Sequence, residues 1–234
     1  VIEFGNEISV DINKKIRKMM DSIKKENIDG IIELVPTYCS LLVNYDVLKV
    51  DYQSLVEKLK TLLNDDNETV EDEEVTLIEI PTLYNDECGP DLSYVAEYNK
   101  LSKEEVIKIH TGTDYLVYML GFMPGFTYLG GMSEKIATPR LESPRLQIYP
   151  GSVGIAGKQT GMYPSMSPGG WRIIGRTPLK LYNPNSETPV YISSGDYIRY
   201  VSISEEEYNN ILKKVENNEY KLNIHRVKRG ELNA

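Results

Sequence analysis

Cysteine, histidine and tryptophan are scarce in this 234-residue chain: two, two and one. Cys39 and Cys88 stand too far apart in sequence for a disulfide framework or a CxxC metal or redox motif, which fits a reducing, cytoplasmic setting. No metal site is expected. Basic charge is also short, with 26 Lys and Arg against 35 Asp and Glu and a formal net charge of -9. Tracking a nucleic-acid backbone needs many Lys and Arg contacts, so DNA and RNA are disfavoured as partners. The opening VIEFGNEI has no basic segment followed by an apolar core, so no signal peptide is read there, and the first strand is expected to begin upstream of Val1. One uncharged stretch, Tyr115 to Met132, approaches the ~18 residues of a membrane span. Gly121, Pro124, Gly125, Gly130 and Gly131 interrupt it, so a buried strand followed by a shaped loop is expected instead, and no membrane partner.

What the chain does have is concentrated. Between Gly112 and Pro178 lie 12 of its 17 glycines and 7 of its 12 prolines, together with its one tryptophan. Glycine allows positive φ and close backbone approach, and proline fixes φ, so this stretch specifies loop shape in detail. Its charge runs against that of the chain. Lys135, Arg140, Arg145, Lys158, Arg172 and Arg176 face only Asp114, Glu134 and Glu142 there, a local excess of three positive charges. A small anionic ligand is expected in this region.

The flanks read as ordinary helices and strands. VIEFGNEISV is a strand, and Ile12, Ile16, Met19, Met20 and Ile23 then recur at helical spacing. Gly30 ends that helix. IIELVPTYCSLLVNYD gives two strands turned near Pro36 and Thr37, YQSLVEKLKTLL a helix and EVTLIEIPTLY a strand. The order βαββαβ is the ferredoxin-like signature, with the acidic run DDNETVEDEE as a solvated connection. After Tyr84, CGPDLSYVAEYN reads as a short helix, and Ser102 with Glu105 forms a capping box for another that Gly112 stops. Tyr115 to Ser202 reads as short β segments of an antiparallel barrel or sandwich, followed by a closing helix in SEEEYNNILKKVEN and a final strand in YKLNIHRV. The chain is therefore expected to be α+β with two domains, 1–84 and 85–234. No repeat of solenoid period is present.

Several candidate sites follow. GSVGIAGKQT resembles a phosphate-binding P-loop, but Ser152 stands where the first glycine is needed and Gln159 follows Lys158 in place of Ser or Thr. Pro139-Arg140 and Pro144-Arg145 place two guanidinium forks five residues apart on a constrained loop, suited to carboxylate or phosphate or to surface acids such as Glu142. His110 ends a helix, where it can satisfy terminal carbonyls or act as a general acid or base. His225 reads as a surface residue. Ser167-Pro168-Gly169-Gly170-Trp171 offers a hydroxyl, two glycine amides and an aromatic platform for an oxyanion, or a tight turn that seats Trp171 in the core. The absence of a GxSxG elbow argues against a serine-nucleophile hydrolase.

The combination GFMPGFTYLGG, the two Pro-Arg pairs, GSVGIAGKQTGMYP and SPGGWRIIGRTP, with GPDL at Gly89–Leu92 and EEVIKIHT at Glu104–Thr111, resembles the 5-oxoprolinase B-subunit family. That family is also called allophanate hydrolase subunit 1 and sporulation kinase inhibitor, with related modules in the carboxyltransferase region of urea carboxylase. The likeness covers nearly the whole chain, departing at Tyr149-Pro150, where the family more often has Pro-Ala. It implies a ferredoxin-like N-terminal domain followed by a cyclophilin-like β-barrel. It also implies a homologous-fold carboxyltransferase-type partner and a third oxoprolinase component, which together with this chain open 5-oxoproline to glutamate at the expense of ATP, this chain being inactive alone. Under that resemblance His110 handles a proton, Arg140 and Arg145 hold a carboxylate or phosphate, Ser167, Gly169 and Gly170 bind oxygen, and Gln159, Tyr163 and Trp171 shape the pocket. Two alternatives come with it: an inhibitor docking on a sporulation sensor histidine kinase, and a component of a urea- or allophanate-type carboxyltransferase.

Overall fold

A computed structural model describes residues 1–63 and 74–233. The chain is a mixed α+β protein that divides into two compact units, Val1–Asp72 and Glu73–Ala234. Nearly all of the acidic run DDNETVEDEE lies outside the described residues.

The first unit grows from an amphipathic helix, α1 (Val10–Glu26), whose Ile12, Ile16, Met19 and Ile23 all turn inward at steps of three to four residues. Ser9 caps it by accepting from the Asp11 N–H at 3.2 Å, and Asn27 ends it in the left-handed conformation at φ 47°. Strands β1 (Ile2–Glu3), β2 (Ile31–Pro36) and β3 (Ser40–Tyr45) form an antiparallel sheet in the order β1-β3-β2. The α1 stripe, Leu41 and Val43 of β3, and Leu55 and Leu59 of helix α2 (Tyr52–Leu63) enclose one small core.

The elements follow the expected βαββαβ order, but strand β4 (Glu74–Thr82) does not join that sheet in the way a ferredoxin-like arrangement requires. It lies between β12 (Tyr197–Ser202), to which it is parallel, and β13 (Ile224–Lys228), to which it is antiparallel. The reason lies in its side chains: Val75, Leu77, Ile78 and Ile80 are all buried, so both faces of β4 must be covered. Helices α3 (Leu92–Asn99) and α4 (Lys103–Thr111) follow β4. The capping box of Ser102 and Glu105 opens α4 as expected, with Ser102 N–H donating to Glu105 at 2.8 Å and the reciprocal bond at 3.1 Å.

The strands after α4 are β5 (Asp114–Leu120), β6 (Thr127–Gly130), β7 (Arg145–Ile148), β8 (Ser152–Ala156), β9 (Gln159–Met162), β10 (Ser167–Gly169) and β11 (Arg172–Arg176). They contribute to a five-stranded mixed sheet, β13-β4-β12-β5-β6, a three-stranded sheet, β11-β8-β9, and a two-stranded ribbon, β10-β7. The sequence reads here as an antiparallel barrel or sandwich; among the described residues these sheets do not close into one barrel, and β4 with β12 makes the main sheet partly parallel. The uncharged stretch at 115–132 is the buried strand β5 and a shaped loop that returns as β6. Helix α5 (Glu205–Glu216) then leads to β13, where His225 is exposed and its Nε2 stands 3.3 Å from Glu79. Among the described residues no helix is long and apolar enough to cross a membrane.

Candidate functional site

Part of the Gly- and Pro-rich stretch gathers in a side-chain cluster around Trp171. The β7–β10 ribbon pairs Ser167 with Ile148 and Gly169 with Arg145, which sets the Arg145 strand beside the turn carrying the tryptophan. Leu141 N–H donates to the Gly170 carbonyl at 2.7 Å and ties the Arg140 loop to that turn. Trp171 itself is only 6% exposed. It packs edge-on against Phe126 at 5.7 Å and Tyr163 at 6.3 Å, with Ile148, Ala156 and Ile173 completing an apolar base. Gly169 is required by this packing, because a Cβ there would stand 2.5 Å from the Tyr163 hydroxyl and 2.7 Å from Ile148.

The three arginines of the cluster differ in their engagements. Arg145 donates from Nη1 and Nη2 to the two carboxylate oxygens of Asp91 at 2.8 and 2.9 Å, and Nη1 also reaches the Trp171 carbonyl at 3.5 Å. Asp91 is buried and further accepts from the Ile173 N–H at 2.6 Å. Arg172 lays its guanidinium 3.7 Å from the Tyr94 ring centroid, donates from Nε to the Pro139 carbonyl at 3.3 Å, and stands 3.9 Å from Asp91. Arg140 is exposed and sits 5.9 Å from the Trp171 ring centroid, with no carboxylate among the described residues paired to it. Burial pushes the Tyr163 phenol up to about 12, against the opposing pull of the Trp171 backbone bond and of Arg140 and Arg145. The phenol therefore stays protonated near neutrality, a neutral hydrogen-bonding group beside cationic ones.

His110 lies elsewhere, in the main core. It is fully buried, with Nδ1 2.8 Å from the Tyr84 hydroxyl and Nε2 2.8 Å from Thr160 Oγ1, while the Tyr200 ring centroid is 4.4 Å away. Its own backbone carbonyl accepts from the Tyr115 hydroxyl. Burial drives the imidazole down to about 3, so it is neutral across the physiological range. With both ring nitrogens engaged, His110 ties α4 to Tyr84 and to β9, a role neither of its two sequence readings contained, and it presents no free nitrogen to a ligand.

Of the residues singled out in the sequence, the structure brings Arg140, Arg145, Tyr163, Gly169, Gly170 and Trp171 together. Ser167 lies on the same ribbon with its Oγ buried and without a hydrogen-bond partner among the described residues. Gln159 opens β9 opposite Ala156 and is half-buried. Gly169 sits opposite Arg145 in the ladder, and the Gly170 carbonyl accepts from the Leu141 N–H. Sequence reasoning passed over Asp91 as a site residue. Its signal was the GPDL segment: a Cβ on Gly89 would stand 2.1 Å from the Ile174 carbonyl, so this turn must press against β11, and that contact delivers Asp91 to Arg145. Among the described residues no cluster of three or more His, Cys, Asp or Glu side chains is arranged to hold a metal.

Comparison with known proteins agrees with this architecture. The family described as the carboxyltransferase domain, subdomain C and D, matches residues 1–192. The B subunit of 5-oxoprolinase from Bacillus subtilis (strain 168) is 46% identical over 217 residues, covering 89% of this chain and 90% of that protein. A crystal structure of a conserved uncharacterized protein from Pyrococcus horikoshii is 51% identical and covers 88% of this chain and 94% of that one, with a TM-score of 0.55. The Kluyveromyces lactis urea carboxylase shares the fold at a TM-score of 0.76 and 18% identity, over 96% of this chain and 23% of that one. The chain belongs to the 5-oxoprolinase B-subunit family of carboxyltransferase-type domains.

Proposed function

We propose that this chain is the B subunit of a cytoplasmic, ATP-dependent 5-oxoprolinase, acting with a homologous-fold carboxyltransferase-type partner and a third component to open 5-oxoproline to glutamate, and inactive on its own. One observation carries the reading: an exposed Arg140 without a carboxylate partner among the described residues, set against Trp171 and the protonated Tyr163, in a chain 46% identical to the Bacillus subtilis 5-oxoprolinase B subunit.

The chemistry sets what such a site must do. The lactam carbonyl of 5-oxoproline is a poor electrophile, and transfer of the ATP γ-phosphoryl group to its oxygen would make it open to water, with ADP and phosphate as the other products. The substrate also carries a carboxylate, which has to be held while the ring opens. Arg140 takes that carboxylate in this proposal. Trp171 and Tyr163 form the wall, and Gln159, Ser167, Gly169 and Gly170 shape the surround. Arg145 stands in the same cluster with its fork engaged by Asp91. The proton-transfer role offered to His110 is withdrawn, because its ring nitrogens are occupied in the core.

The finer architecture belongs to the same proposal: a ferredoxin-like N-terminal domain and a cyclophilin-like C-terminal one. The antiparallel β1-β3-β2 sheet with α1 and α2 supports the first, and the several short sheets around the Gly- and Pro-rich loops support the second. The boundary drawn from the sequence at residues 84 and 85 moves to precede β4 in this reading, since β4 pairs with β12 and β13.

The test is reconstitution. The purified chain, mixed with its candidate partners, should form glutamate from 5-oxoproline only with ATP and only when this chain is present. An assembled complex that turns over equally without it rejects the proposal.

A further inference from the structure

Three guanidinium groups surround Trp171, yet only one of them is open to a ligand. Arg145 is closed by Asp91, which takes both of its Nη groups. Arg172 lies flat on Tyr94, gives Nε to a backbone carbonyl and stands near the same carboxylate. Arg140, exposed, stands over the Trp171 ring at 5.9 Å from its centroid and has no acid paired to it among the described residues. Ser167 Oγ, on the ribbon that carries Arg145, is buried with no partner of its own there, and a buried hydroxyl left without one is costly unless something completes it.

We propose that the Trp171 cluster is a one-guanidinium oxyanion site in which Arg140 takes the ligand, and that Asp91 is its specificity-determining residue, favouring a small carboxylate monoanion over a dianion such as a phosphate or sulfate. This deepens the 5-oxoprolinase reading and rests on it for the identity of the carboxylate. The argument is electrostatic. A carboxylate needs one fork, and Arg140 supplies it bidentately. A second negative charge on the ligand would look for the neighbouring fork and meet instead the Asp91 carboxylate that already fills it, so the second charge gains little from Arg145 and is repelled by Asp91. Were Asp91 neutral, Arg145 would be released, and the dianion would gain more than the monoanion.

Trp171 is the chain's one tryptophan and serves as the reporter. Its emission is followed at constant ionic strength while acetate, 5-oxoproline or sulfate is titrated into the full chain and into the assembled complex. The expected result is a saturable change with the carboxylates and weaker binding of sulfate. Arg140→Gln should weaken carboxylate binding by roughly tenfold or more, the scale of a lost charge-assisted hydrogen bond. Asp91→Asn should shift the preference toward sulfate by about tenfold, whereas general damage to the fold would weaken both anions. If D91N alone does not fold, the Arg140→Gln titration still tests the site, because Arg140 is exposed and has no ion pair among the described residues to lose.

An Arg140→Gln titration identical to wild type overturns the proposal. So does an unchanged acetate-to-sulfate ratio in D91N, or the absence of any saturable response in both chain and complex. The two readings fail separately. A complex that opens 5-oxoproline with an indifferent Arg140 keeps the enzyme and loses this site, whereas anion selectivity that follows Asp91 without any turnover keeps the site and loses the enzyme.

Discussion

The Asp91 carboxylate and the Arg145 guanidinium form a two-point ion pair, at 2.8 and 2.9 Å, between chain positions 54 residues apart. Asp91 stands at the N-cap of α3 but does not cap it with its side chain. Both carboxylate oxygens go to Arg145, and one of them also takes the Ile173 amide, so a single residue joins the start of α3 to β7 and β11.

Replacing Asp91 by alanine should therefore cost stability as well as alter the site. A largely buried ion pair that loses one partner leaves the other charge uncompensated, and removing Asp91 also strips the Ile173 N–H of its side-chain acceptor. We expect a loss of about 2–4 kcal/mol in urea denaturation, discounted from the fully buried case because Arg145 is about one-third exposed. A loss below about 0.5 kcal/mol, the scale of an exposed pair, would mean that the contact is only a surface one.

His110 gives a pH prediction with a definite sign. Its folded value, about 3, lies below the usual 6.5, so the unfolded chain takes up a proton that the folded chain does not. This contribution is fully present above about pH 6.5 and is lost as the pH falls toward 3, at up to about 1.4 kcal/mol per pH unit. Histidine NMR should show the His110 ring still neutral at about pH 5, well above its folded value. A His110 resonance that titrates in the folded protein near the ordinary histidine value would contradict the buried placement.

Much of this could be read from the sequence. The helical stripe from Ile12 to Ile23 and the capping box at Ser102 depend on local spacing, and each is found in place. Long-range pairing was less legible. The partner of β4 is set by residues more than a hundred positions later, and nothing in VTLIEI distinguishes a small sheet from a larger one except that both of its faces are apolar. Which arginine is open depends on Asp91, a residue that sequence alone presents only as the acid in a turn before a helix. The burial of His110 likewise depends on Tyr84 and Thr160, distant residues that meet it only in the folded core.

Gly169→Ala is the sharpest probe of the packing under the site. The added methyl would overlap the Tyr163 hydroxyl and Ile148, so either the ribbon or the phenol must shift. Overpacking of this kind costs about 1–3 kcal/mol. We expect that loss in a thermal or denaturant melt, together with a changed Trp171 emission, since Tyr163 and Trp171 are neighbours. A variant as stable as wild type with unaltered emission would mean that Gly169 is not held against Tyr163.

The most direct measurement is the rate of ATP-dependent glutamate formation from 5-oxoproline by the assembled complex carrying Arg140→Gln. If Arg140 holds the substrate carboxylate, kcat/KM should fall by roughly tenfold or more, with a complex that assembles and melts like wild type. An unchanged kcat/KM in that intact complex would contradict the assignment of the Trp171 cluster as the substrate site.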